Sequence, residues 1–254
     1  MTKKWLTFDL DGTLMQNPFG KWVFPEIVSL IKKEMNEEAD IMGLIIDEHE
    51  RRMSQNRVLE AYDWDNIVED LLFELGNSSL KIDIECLVHK HSVSPKVHLL
   101  EENIIESLKL LEGYSLAVAT NGYLKYQLPV MKEIGLDSVF DEIITPEQTG
   151  YAKPNYKILN SLKKEELYGH VGDRIDHDIV MANKMGITSI FINRNLPFST
   201  RSLPVDERNK DKAFLELCKE KWYKENSKRH VPFTEECIPD KVIYSIGELV
   251  VSLV

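Results

Sequence analysis

Short apolar runs, each closed by a polar or acidic residue, recur along the chain and alternate with stretches of helical period. Lys4 to Leu10 is such a run, and Ser115 to Thr120 (Ser-Leu-Ala-Val-Ala-Thr) has the same form. Tyr168 to Gly172 precedes Asp173, and Thr188 to Ile192 precedes Asn193-Arg194. Runs of this length bounded by turn residues predict buried strands. Tyr123 to Gly135, Pro154 to Leu162 and Asp176 to Gly186 lie between them with helical spacing. In the last, Asp176 is expected as N-cap and Gly186 as the C-terminal stop. Strands alternating with helices in this way predict an α/β fold, a doubly wound parallel sheet.

Two stretches break the alternation. Residues 16–97 read as helical almost throughout, over Glu26 to Met35, Ala39 to Ser54, Val58 to Leu75 and Ile82 to Val93. This predicts an all-helical subdomain inserted after the first strand. The remainder, 1–15 and 98–254, forms the α/β core. Residues 195–238 are an atypical insertion in that core, bounded by Pro197, Pro204 and Pro232. There Phe214, Leu217, Cys218 and Trp222 recur at helical spacing and predict an amphipathic helix that packs on something. Lys241 to Ser245 reads as a last edge strand, followed by a short apolar helix to Val254.

Composition narrows the function. The 254 residues are 43% hydrophobic and 29% charged, with a formal net charge of −11. Much of the acid lies between residues 16 and 97, with 16 acidic against 9 basic side chains. Such a balance disfavours nucleic acid and anionic membranes, which need clustered cations. No apolar run approaches the roughly 20 residues that span a bilayer. Cys86, Cys218 and Cys237 are far apart, without the spacing of a zinc site or disulfide framework. A cytoplasmic monomer or homodimer is expected.

The chemistry collects at the predicted strand ends. Asp9 and Asp11, Thr120 and Asp173 all follow apolar runs, and ligands of a parallel sheet bind beyond its carboxyl ends. Converging carboxylates repel each other unless a cation lies between them, and an all-oxygen set suits Mg²⁺ better than zinc. Neither G-x-x-x-x-G-K-[ST] nor G-x-G-x-x-G occurs, so no nucleotide-phosphate loop is predicted. His89 and His91 are two apart in a helical pattern and do not share a face with each other, which argues against a metal site with His98. His177 is expected at the surface.

Four motifs, in order, resemble those of the haloacid dehalogenase superfamily. They are Asp9-Leu10-Asp11-Gly12-Thr13-Leu14, Thr120-Asn121-Gly122, Lys153-Pro154, and Gly172-Asp173-Arg174-Ile175-Asp176-His177-Asp178 in the form G-D-x-x-x-x-D. The resemblance spans about residues 1–15 and 98–194. Taken singly, Thr120-Asn121-Gly122 is also an ordinary turn, and Lys153 also reads as a surface lysine at a helix entrance.

The resemblance implies a Rossmann-like core with a C1-type helical cap at 16–97 and phosphoryl chemistry on a small phosphate ester. Asp9 would be the nucleophile and Asp11 the general acid and base. Thr120, Asn121, Gly122 and Lys153 would bind the phosphoryl group. Mg²⁺ would be held by Asp9, Asp11, Asp173 and Asp178, the last through water or by orienting Asp173. The second Asp of D-x-D favours phosphoryl transfer over dehalogenation, and Thr13 favours a phosphatase over a phosphomutase. A phosphonatase would need a cap lysine, for which Lys21, Lys32 and Lys33 are the candidates. A catalytically silent binding protein is a further alternative. Phe19, Gly20, Lys21, Trp22 and Tyr62-Asp63-Trp64 are candidate substrate contacts.

Overall fold

The computed structural model describes residues 3–35, 39–55, 57–227 and 231–253. Six strands form one sheet: β1 (Lys4–Phe8), β2 (Tyr114–Ala119), β3 (Glu142–Ile144), β4 (Leu167–Gly172), β5 (Thr188–Ile192) and β6 (Lys241–Ile243). Their order is β3-β2-β1-β4-β5-β6, with every neighbouring pair parallel. The chain winds outward from β1 in one direction and then in the other. The winding therefore reverses beside β1, where an open α/β sheet binds its ligands.

Register aligns the strand ends. Phe8 pairs with Val118 on β2 and with Val171 on β4. Asp9, Thr120 and Asp173 thus follow closely on aligned positions of three adjacent strands. β1 is apolar because it lies between two others, with Leu6 and Phe8 fully buried. The short strand β3, absent from the sequence reading, carries only three residues (Glu-Ile-Ile) at the sheet edge, too few for a pattern.

The chain divides into two compact units. One comprises residues 1–15, 99–120 and 138–254, and the other 16–98 and 121–137. The second contains helices Phe24–Met35, Ile41–Ser54, Val58–Ala61, Trp64–Glu74 and Ile84–His91, together with Leu124–Glu133. Three begin at aspartates that cap backbone N–H groups: Asp40 on Gly43, Asp63 on Asn66 and Asp83 on Cys86. Asp63 is the reason the expected helix 58–75 is two helices, since its cap starts a new one. Helix 124–133 joins this unit through Tyr126 Oη and Lys125 Nζ, which both donate to Asp65 Oδ2 at 2.9 and 2.5 Å.

Residues 195–238, expected as an insertion, contain the predicted amphipathic helix, Lys212–Glu225. Phe214, Cys218 and Trp222 bury against Ile175, Ile179, Phe191 and Val242, covering β5 and β6. Arg208 ties the segment down by a bidentate pair with Glu248, at 2.7 and 2.8 Å, and by bonds to the carbonyls of Arg201, Leu203 and Val242. The expected helix Pro154–Leu162 is only the single turn Tyr156–Leu159. Asn155 caps Lys157 N–H there, and Ile158 and Leu159 bury without further length. The last apolar helix runs Ile246–Leu253, and Val254 lies outside the described residues. Among the described residues, no helix is long and apolar enough to cross a membrane.

Candidate active site

β1 ends at Phe8, but Asp9 N–H still donates to Val171 O at 2.9 Å and keeps the register of β4. The chain then turns sharply, and Leu10 O accepts from the N–H groups of Thr13, Leu14 and Met15. Gly12 sits in this turn at φ +85°, and a Cβ there would lie 2.9 Å from the Asp173 carboxyl carbon. Only glycine satisfies both the conformation and the close approach. Thr13 Oγ1 donates back to Asp9 Oδ2 at 3.2 Å and reaches Asp173 Oδ1 at 3.5 Å.

Lys153 is buried and bridges two carboxylates, donating to Asp9 Oδ1 and Asp178 Oδ1 at 2.6 Å each. Burial alone would lower the lysine pKa, but Asp178 and Asp9 outweigh it and push it above its ordinary value. The two carboxyls diverge. Burial and the neighbouring Asp178 raise Asp9 despite Lys153. Asp178 is buried too, yet Lys153 and His170 hold it well below the usual carboxylate range. Its Oδ2 accepts from Arg174 N–H at 3.0 Å, so both its oxygens are engaged.

His170 escaped the sequence reading. It is fully buried on β4, with Nε2 3.0 Å from Asp178 Oδ1 and Nδ1 2.8 Å from Thr7 Oγ1. Burial lowers its pKa. A neutral ring donating from Nε2 to Asp178 leaves Nδ1 as an acceptor facing the Thr7 hydroxyl, whose one proton is also within reach of Gly169 O at 3.2 Å. The available signal was a histidine within a run otherwise apolar enough to be buried. Gly172 is required for the same assembly, because a Cβ on it would lie 2.2 Å from the Asp178 carboxyl carbon.

Asp9, Asp173 and Asp178 each present a carboxylate oxygen within 4.8 Å of the others, the one such cluster of metal-binding side chains among the described residues. Burial, Asp9 and Asp178 push Asp173 up to about 7. Its protein partners are the most distant of the three, Thr13 at 3.5 Å and Lys221 Nζ at 3.8 Å. An all-carboxylate set that repels itself, with one member weakly bonded, fits a hard divalent cation. The Asp11 carboxylate is not in this cluster. D-x-D puts two side chains on one side only while the strand continues, and here it ends at Phe8.

Thr120 is buried at the end of β2, with its N–H on Ile144 O at 3.1 Å. The boundary between the compact units falls just after it, so Asn121 and Gly122 belong to the helical unit. There Asn121 donates to Tyr62 Oη at 3.2 Å. Phe19, Tyr62 and Trp64, candidate substrate contacts, take part in an aromatic cluster with Phe24, His49 and Tyr126, with ring centroids 4.9 to 6.2 Å apart. Trp22 stacks on His91, which also bonds Glu26 at 2.6 Å.

Two expectations for the fourth motif need correction. Asp176 does not cap the following helix. It lies in a wide turn, Ile175–Ile179, and takes a bidentate contact from Arg174 at 2.9 and 3.0 Å. His177 is buried, not exposed, and burial and Arg174 lower its pKa to about 3. The covering helix Lys212–Glu225, remote in sequence, packs against this turn and hides what local polarity placed outside.

Comparison with known proteins gives the family. The family of haloacid dehalogenase-like hydrolases matches residues 3–186, and the chain belongs to it. It is an enzyme of the hydrolase class with phosphatases among its relatives. It is 29% identical over 205 residues to a glyceraldehyde 3-phosphate phosphatase of Methanocaldococcus jannaschii, covering 74% of this chain and 84% of that one. It is 31% identical over 112 residues to the pyrophosphatase PpaX of Halalkalibacterium halodurans, covering 41% of this chain and 51% of the relative. L-2-haloacid dehalogenase from Xanthobacter autotrophicus shares the fold, with TM-score 0.57, 16% identity and coverage of 98% and 97%.

Proposed function

We propose that the protein is a Mg²⁺-dependent phosphatase that cleaves a small phosphate monoester through an aspartyl-phosphate on Asp9. The observation that carries this reading is the Lys153 bridge. A buried lysine at 2.6 Å from both Asp9 and Asp178 neutralises a carboxylate that would otherwise repel a phosphate. Asp9 attacks phosphorus, and the bond to the ester oxygen breaks. Asp11 gives its proton to that leaving oxygen. Its carboxylate then takes a proton from the water that attacks the aspartyl-phosphate, releasing phosphate and restoring Asp9.

Thr120 donates its hydroxyl to a phosphoryl oxygen, with the Asn121 and Gly122 turn assisting. Lys153 balances the charge of the phosphoryl group and of Asp9. Asp9 and Asp173 would hold Mg²⁺, which would supply Lewis-acid stabilisation of charge on the transferred group. Asp178, engaged by Lys153, His170 and Arg174 N–H, orients its neighbours from behind. Residues 16–97 take the role of the cap, which selects the leaving group. The enzyme works in the cytoplasm, in keeping with three free cysteines.

The relatives named glyceraldehyde 3-phosphate phosphatases favour a triose phosphate as the first ester to assay, with pyrophosphate second. Phosphate release is measured with and without EDTA for wild type and Asp9→Asn. Mg²⁺-dependent turnover that falls at least about a thousandfold in the variant is expected. Undiminished turnover in Asp9→Asn would refute the nucleophile assignment.

A further inference from the structure

The helix of the 195–238 insertion reaches the fourth motif with two charged side chains. Glu225 Oε2 accepts from the backbone N–H groups of Ile175 and Asp176 at 3.0 and 3.1 Å, holding the start of the wide turn. One turn earlier in that helix, Lys221 Nζ lies 3.0 Å from Glu225 Oε1 and 3.8 Å from Asp173 Oδ2. Its Nζ lies over the Phe191 ring, 5.9 Å from the centroid. Lys221 is thus held between one carboxylate that anchors the loop and one that belongs to the cluster.

We infer that Lys221 is a built-in counter-cation for Asp173, set by Glu225, through which the late insertion tunes how tightly the site binds a divalent ion. The inference rests on the metal reading above. Lys153 cannot do this, because its ammonium is already shared between Asp9 and Asp178 at 2.6 Å. Among the described residues Asp173 has no ammonium that close, and Lys221 is the one beside it. The 3.8 Å separation is long for an ion pair, and the side chain is 28% exposed, so it can yield Asp173 and keep Glu225. A cation entering at Asp173 meets the repulsion of this ammonium, so Lys221 lowers affinity for metal while relieving carboxylate repulsion without it. Arg174 and His177 face the same turn, but Arg174 is spent on Asp176. Burial holds His177 neutral.

Mg²⁺ binding is measured without substrate, by calorimetric titration and by the rise in melting temperature, for wild type, Lys221→Met, Lys221→Arg and Asp173→Asn. Lys221→Met is expected to bind about fivefold tighter and to melt lower without metal, the size set by one partly screened charge at this range. Lys221→Arg, which keeps the charge, should bind like wild type. Glu225→Gln retains an acceptor for the two N–H groups, and should weaken binding in wild type but much less in Lys221→Met. Unchanged or weaker binding in Lys221→Met, while Asp173→Asn binds nothing, would overturn the role of Lys221 alone. Wild-type binding by Asp173→Asn would overturn the metal reading as well.

Discussion

Lys153 Nζ stands as close to Asp178 as to Asp9, 2.6 Å from an oxygen of each, although 25 residues separate the first pair and 144 the second. The lysine, at the start of one loop, thereby couples the end of β1 to the loop after β4. With His170 on the other side of the same Asp178 oxygen, the charged centre is a buried network whose members depend on one another.

Removing the bridge should cost stability as well as activity. Lys153→Met leaves Asp9 and Asp178 buried without their cation, and a loss of about 3–5 kcal/mol is expected from urea unfolding. Lys153→Arg keeps the charge in a larger head and should recover part of that stability but little turnover. Equal stability of Lys153→Met and wild type would contradict the pairing.

Gly172→Ala tests the close approach of Asp178. A Cβ at 2.2 Å from the carboxyl carbon must move the loop or the side chain. A loss of about 1–3 kcal/mol is expected, together with a drop in kcat larger than that of any change in KM. Gly113, whose Cβ would meet nothing within 4 Å, provides the control. Gly113→Ala should leave both measurements near wild type.

Acid should unmask the cap of the late helix. Asp211 accepts from Thr200 Oγ1 at 2.6 Å and from Phe214 N–H at 3.3 Å. The Thr200 hydrogen bond, helped by the backbone N–H groups, lowers its pKa. A carboxyl lowered on folding contributes stability above its unfolded value, near 3.9, and loses it as pH falls through the folded value. The melting-temperature gap between wild type and Asp211→Ala should therefore be widest near neutrality and shrink below about pH 4. A gap that widens in acid would contradict this sign.

Arg52 holds the helical unit from inside. It is fully buried and donates to Glu48 Oε1, Glu60 O and Asp70 Oδ2 at 2.6 to 2.7 Å. Arg52→Met keeps the stem but strands the Glu60 carbonyl and leaves Glu48 to Arg51 alone, and a loss of about 3 kcal/mol is expected. Hydrogen exchange should locate that loss in helices Ile41–Ser54 and Trp64–Glu74. Uniform destabilisation across the chain would argue that the two compact units unfold together.

The sequence by itself determined the parallel sheet, five of its six strands, the helices between residues 16 and 97 and the positions of Asp9, Thr120, Lys153 and Asp173 at strand or loop ends. Those properties follow from local pattern, because an apolar run closed by a polar residue reports burial and its end without reference to anything distant. The tertiary structure alone decided the rest. It drew helix 124–133 into the helical unit through Asp65, put His170 behind Asp178, buried His177, and brought Lys221 from the late insertion to Asp173. It also left Asp11 outside the carboxylate cluster, since the turn after Phe8 cancels the alternation on which the spacing argument relied. Apart from His170 and Asp178, which are eight residues apart across one loop, each of these depends on a partner tens of residues away, or on where a strand stops. Side-chain pairing across such distances is fixed by packing, which no local periodicity encodes.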